Sequence, residues 1–378
     1  MNARERINSA IWRDEPDRVP LDLGGIATTI EDKAYRELLD YLNYYDLEIK
    51  HIARDHVDPH PIILEVLNID TRYIRMKSPT DFDFLKDNEQ TYYDEWGIKW
   101  HKPSGGLYWD PIDHPFSKDG NIKSLNQYNW PDVKDPSRIK GLKEEASLLR
   151  ANTDYAIIAD MPFVGVFEAG LFLRGFQLFL EDLIANKRFS LKLMEKATEV
   201  IIELYELYLN SVGDLIDVIM ISDDLGTQQG PIISPNMYRD MIKPLQNELV
   251  QSIKKKTKAA VFLHCCGSIK EFIPDFIELG IDIINPVQVR ANNMDPIKLK
   301  AEFGKDITFW GGVDTQQVLC NGSVQDVISE VKLRIDQMST GGGYVLGAVH
   351  NIQAGVSPEN VLALFKTGYE YGNSKNNM

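Results

Sequence analysis

The chain has 378 residues, 43% hydrophobic and 26% charged, a composition that favours a globular protein over a disordered one. An excess of 56 acidic over 41 basic side chains leaves a net charge of −15, which repels phosphate backbones and anionic membranes and argues against a nucleic-acid partner. No apolar run of about 18 residues and no secretory signal is seen, and three cysteines make a poor disulfide framework, so a cytoplasmic protein with free thiols is expected.

Apolar, β-branched runs then alternate with longer helical stretches, the pattern that builds parallel sheets. In chain order the strand candidates are RVPLDLG (18–24), TRYIRMK (71–77), YAIIADMP (155–162), VIMISDD (218–224), AAVFLHCCG (259–267), IDIINPV (281–287), ITFWGGVD (307–314) and YVLGAVHN (344–351). Helices are expected between the later ones. Two of these carry start signals: Ser323 with Asp326 in capping-box spacing, and Ser357 ahead of Pro358. The segment 174–209 is too long for one crossover and should break near 186–190. Residues 78–150, rich in aromatics, Gly and Pro, look like a β-hairpin insertion after the second strand, forming a lid rather than a domain. Eight β/α units predict a TIM (β/α)8 barrel, with residues 1–378 forming one domain.

In such a barrel the reactive face lies at the C-terminal ends of the strands, where HCCG closes the fifth. Strand alternation puts His264 and Cys266 on one side and Cys265 on the other. An imidazole and a thiolate at i, i+2 suit zinc, and a third protein ligand would leave a position open. His350, near the end of strand eight, is the preferred third ligand, with Cys320 as the alternative; the competing interpretation is that these side chains simply pack the barrel. Asp223, ending strand four, is expected to face inward as a substrate-contacting or supporting group, or else to cap the following turn. Asp160 and Asp314 are rim acids under the same choice. Tyr238 is expected in the core. The stretch ARDHVDPHP (53–61), with Asp55, His56, Asp58 and His60, is a rival metal cluster, expected as a solvated turn on the face opposite to catalysis. Trp96, Trp100, Tyr108 and Trp109 of the insert would line the lid or pack it.

The series RVPLDLGG, DEWG, ISDDLGTQQGPIISPNMYRDMIKP, FLHCCGSI, PVQ, WGGVDTQ and GGYVLGAVHNIQAGVSPENV resembles the uroporphyrinogen decarboxylase superfamily over nearly the whole chain, and within it the zinc-dependent corrinoid methyltransferase branch. The resemblance implies a TIM barrel and a zinc motif of the form His-x-Cys, matched by His264 and Cys266, plus a distant cysteine near strand eight, where this chain has His350 instead. It also implies methyl transfer between a small methylated substrate, or a thiol or folate acceptor, and a corrinoid carried by a separate partner protein. Related barrels often pair, so a homodimer is compatible with it. The decarboxylase proper is a weaker match, because residues 20–32 contain no arginine to hold a polyanionic substrate. A carboxy-lyase without metal and a non-catalytic partner of a corrinoid protein are the alternatives.

Overall fold

The computed structural model describes residues 1–53, 55–79, 90–106 and 109–375. Its strands in chain order are β1 (Lys50–His51), β2 (Val57–Asp58), β3 (Thr71–Ile74), β4 (Thr91–Tyr93), β5 (Lys99–His101), β6 (Asp110–Asp113), β7 (Ala156–Ala159), β8 (Val218–Ser222), β9 (Ala260–His264), β10 (Ile283–Asn285), β11 (Thr308–Trp310) and β12 (Tyr344–Val345). Seven of them form one parallel sheet in the order β12-β11-β10-β9-β8-β7-β3. Both faces of that sheet are covered, which is why VIMIS and AVFLH are buried at every position instead of alternating with polar residues. Alternate residues still divide between two clusters. Ala156, Ile158, Val218, Met220, Ala260 and Phe262 belong to one. Ile157, Ala159, Ile219, Ile221, Val261 and Leu263 belong to the other, packed with the surrounding helices.

The first predicted strand is reduced to a single parallel bridge, Leu21 to Leu346. Its backbone nevertheless reaches both edges of the curled sheet. Asp22 N–H donates to Leu346 O, Leu346 N–H to Pro20 O, and Asp70 N–H to Leu21 O. A helix the sequence reading did not single out, Ala3–Ile11, opens with a capping box between Asn2 and Glu5 and puts Ile7, Ala10 and Ile11 into the inner cluster. Thr308 Oγ1 donates to its last carbonyl, Ile11 O, at 2.8 Å, so this helix covers the N-terminal ends of the strands.

The long helical segment breaks where expected, at Asn186, between the helices Phe176–Ala185 and Lys187–Val212. In the insert, β4, β5 and β6 form a three-stranded antiparallel meander where one hairpin was expected. It is followed by short helices at Ile122–Gln127 and Leu142–Asn152. Among the described residues no helix is long and apolar enough to cross a membrane.

Candidate metal centre

Parallel register places Ser222, His264 and Asn285 level with one another at the C-terminal ends of β8, β9 and β10. His264 Nδ1 lies 2.6 Å from Asn285 Oδ1. The Asn285 amide has its orientation set independently, because Nδ2 donates to Trp310 O at 3.2 Å. Its Oδ1 must therefore accept, the proton sits on His264 Nδ1, and the Nε2 lone pair faces Cys266 Sγ at 3.3 Å. His350 lies five residues beyond β12 rather than on a strand, yet the chain returns its ring to within 5.5 Å of the His264 ring, inclined at 71°. One donor atom from each of His264, Cys266 and His350 falls within 4.8 Å of the others.

Electrostatics around Cys266 and His350 disfavour charge on either of them in the absence of a cation. Burial, then the proximity of Asp224, pushes the Cys266 thiol well above its ordinary range. Burial, then His264 and His56, pushes His350 down to about 3. The Cys266 backbone N–H is held by Asp224 Oδ1 at 2.6 Å, and Gly267, at φ +88°, turns the chain away. Cys265 points into the core, where its Sγ accepts from Leu225 N–H at 3.4 Å. Cys320, the alternative ligand, sits on the short helix Val318–Asn321 outside the cluster. A nitrogen, sulfur, nitrogen set with one imidazole already oriented by a carbonyl oxygen fits zinc.

The predicted acids fall in different places. Asp223 does not face the cluster: it is buried, and its carboxylate accepts from the N–H groups of Phe167 and Glu168, each at 2.9 Å, and from Gln246 Nε2 at 2.7 Å. It thus caps the helix Val166–Arg174, an approach open because Gly165 has no side chain; a Cβ there would lie 1.8 Å from Ser222 O. Asp160 is buried and held by Arg75 Nε at 3.0 Å and Ile26 N–H at 2.9 Å, on the wall of a cavity of about 310 Å³ that Trp100 and Phe172 also line. Asp314 accepts from Gln316 N–H and pairs with Arg290, so it caps its turn. Tyr238 is in the core, donating to Gln246 Oε1.

The rival cluster needs correction. ARDHVDPHP was expected on the face opposite to catalysis, but the β1–β2 ladder and the bridge from Glu31 to His56 fold Asp55 and His56 back over the mouth. Both line a cavity of about 230 Å³ together with His350, Asn351 and Glu31. Its far wall is Tyr92, Trp100 and Trp109 of the insert, while Trp96 is buried and stacks on Phe163. Tyr108 lies outside the described residues. Asp58 pairs with Arg75, and His60 caps the helix Pro61–Val66. The sequence reading also missed Asn285 and Glu31. A polar residue closing the otherwise apolar strand IIN, level with His264, was the available signal for Asn285.

The family described as uroporphyrinogen decarboxylase (URO-D) matches residues 114–371. Among solved structures, a methyltransferase from Methanosarcina mazei superposes with a TM-score of 0.65 at 18% identity, covering 98% of this chain and 99% of that one. A B12-independent methionine synthase from Shewanella sp. W3-18-1 in complex with selenomethionine gives a TM-score of 0.47 at 12% identity, covering 95% and 98%. No curated protein matches the chain.

Proposed function

We propose that this chain, which belongs to the uroporphyrinogen decarboxylase family, is a zinc-dependent methyltransferase of that family, working with a corrinoid borne by a separate protein. The observation that carries the reading is the convergence of one nitrogen from His264, the Cys266 sulfur and one nitrogen from His350 within 4.8 Å at the end of a parallel sheet. We take the sheet and its bridging segment 20–22 as a (β/α)8 barrel of one domain. When bound, zinc supplies Lewis acidity to a thiol or a methylated heteroatom, and the corrinoid supplies a methyl carrier.

The chain's own residues prepare the site. Asn285 keeps the proton on His264 Nδ1 and leaves Nε2 as the donor. Asp224 fixes the backbone of Cys266, so the thiol cannot swing out with its loop. Trp100 and Trp109 wall off the adjoining cavity, where lower exposure to water strengthens polar interactions. Asp160, with Arg75, forms the polar end of the neighbouring cavity, in reach of a substrate that occupies it. Porphyrinogen decarboxylation is less well supported, because among the described residues both arginines of this cavity are already engaged with carboxylates: Arg75 with Asp160 and Asp58, Arg138 with Glu95.

Elemental analysis of purified wild type beside Cys266→Ala and His350→Ala tests the reading. About one zinc per chain in the wild type, lost in both variants, is expected. Wild type that holds no zinc after dialysis against it overturns the proposal. Zinc-loaded protein is then assayed for methyl transfer to free cobalamin.

A further inference from the structure

We propose that the outer stripe of the helix Phe176–Ala185 pairs with the same stripe of a second copy of this chain, the two helices running antiparallel about a two-fold axis at Leu180. The proposal is independent of the metal reading.

The helix cannot roll to hide this stripe, because its opposite face is fixed. Phe179 packs against the Phe167 ring with centroids 5.8 Å apart, so near the preceding helix that a Cβ on Gly170 would lie 2.1 Å from Phe179 Cζ. Asp182 pairs with Arg174 Nε at 2.8 Å. Residues four apart share one side of a helix, so Phe176, Leu180 and Ile184 form a row. Phe176 is 55% exposed, and Ile184, at 78%, is the most exposed large apolar side chain among the described residues. Leu180 between them is half-buried.

Three features argue for a second copy as the occupant. First, the row is symmetric about Leu180: at a rise of ~1.5 Å per residue, Phe176 and Ile184 stand ~6 Å to either side of it. Antiparallel pairing lays Phe176 of each copy against Ile184 of the other, the self-complementary arrangement that a two-fold contact requires.

Second, the charges beyond the two ends are opposite. The His114 ring lies against Gly175 and its Nδ1 donates to Phe172 O at 2.7 Å, which holds Asp113 beside the Phe176 end. Asp113 is exposed and accepts from His114 N–H and Ser117 Oγ, with no cation paired to it among the described residues. Past the other end, after the break at Asn186, Arg188 is exposed and has no carboxylate partner among the described residues, while its neighbour Lys187 is engaged by Asp240 at 2.6 Å. The antiparallel arrangement brings Asp113 of each copy to the end where Arg188 of the other stands. A parallel pairing would instead set Asp113 beside Asp113 and Arg188 beside Arg188.

Third, one flank of the row is polar: Gln177 Nε2 donates to Glu181 Oε1 at 2.9 Å. An apolar centre with a polar rim is the plan of a protein contact. The net charge of −15 repels a second copy at long range, and a single helix pair is small beside the ~1,600 Å² of a standard interface. The dimer is therefore expected to be weak, forming at micromolar concentrations.

The test is sedimentation velocity of the full-length protein across a concentration series from micromolar to several hundred micromolar. Wild type is expected to pass from monomer to dimer, and Ile184→Glu to stay monomeric throughout. Because Ile184 is so exposed, that variant should melt with wild type, which thermal unfolding checks. Asp113→Arg and Arg188→Glu should each raise the dimer Kd about tenfold, and the double variant should recover most of the loss, since the swap restores the opposite charges. Wild type that remains monomeric at the highest concentration, or a dimer undiminished in Ile184→Glu, overturns the interface. Single charge variants that weaken the dimer without recovery in the double variant overturn the antiparallel arrangement.

Discussion

Asn285 and Glu31 are both buried polar residues at the mouth, and they differ in how completely their partners account for them. Asn285 has both ends of its amide engaged, so its oxygen dictates the tautomer of His264. Asn285→Leu, which removes that acceptor while keeping similar bulk, should weaken zinc affinity roughly 10–100-fold, read by competition with a chromophoric chelator. Glu31 instead carries a cost: burial, opposed by Lys102 and the Ala354 N–H, lifts its carboxyl from 4.5 to about 7. The folded protein then keeps this proton up to about pH 7, whereas the unfolded chain releases it near 4.5, so this group's contribution to stability falls as pH rises through that window. Glu31→Gln has no such loss, and should gain ~2–3 kcal/mol over wild type at pH 8 but little at pH 4. Urea unfolding at the two pH values checks it. His264 and Cys266 were legible from their i, i+2 spacing, and Cys266 keeps its place beside His264 although β9 ends at His264. Glu31 was not, since nothing in GIATTIED shows what packs over it.

Among the elements, helix starts were legible because capping chemistry is local. Ser323 accepts from Asp326 N–H and receives that carboxylate on its own N–H, the reciprocal bond that the spacing predicts. Ser323→Ala should cost about 1 kcal/mol in chemical denaturation without touching zinc content. Ser357 likewise accepts from Asn360 N–H at the head of the last helix. The turn after β9 is a different kind of element, set by contact with a neighbouring loop. A Cβ on Gly267 would lie 2.4 Å from the Gly226 carbonyl carbon, at a φ of +88° that disfavours a side chain. Gly267→Ala should therefore destabilise the fold by a few kcal/mol and reduce zinc occupancy by moving Cys266, measured by melting and metal content together. The fold of 53–61 was misread for a related reason. A Pro-containing polar stretch looks solvated, and its return over the mouth depends on the ladder of β1 with β2 and on Glu31, 25 residues upstream of His56.

For the molecule as a whole, closure is the feature on which everything at the mouth depends. Asp70, just before β3, accepts from Arg6, from both terminal nitrogens of Arg18 and from Leu21 N–H, each at 2.8 Å, tying the N-terminal helix and the bridging segment to the sheet. Asp70→Ala strands the buried Arg18 guanidinium, while Arg6 keeps Asp17, and should cost ~3–5 kcal/mol, seen as a drop in the urea midpoint, with the metal ligands themselves untouched. The sequence by itself determined the α/β class, the chain positions of most of the parallel strands and the candidate pair His264 and Cys266, because each follows from a pattern within about ten residues. It also brought His350 into consideration, since strand ends in such a sheet share one face. Only the tertiary structure decided that RVPLDLG makes a lone bridge rather than a strand, that Asp223 caps a helix, and that His56, Glu31 and three aromatics of the insert meet beside His350. The physical reason is range: a hydrogen-bonded turn or an amphipathic face is written in neighbouring residues, whereas a cavity is made by side chains from separate segments whose meeting is fixed only when the sheet curls and closes.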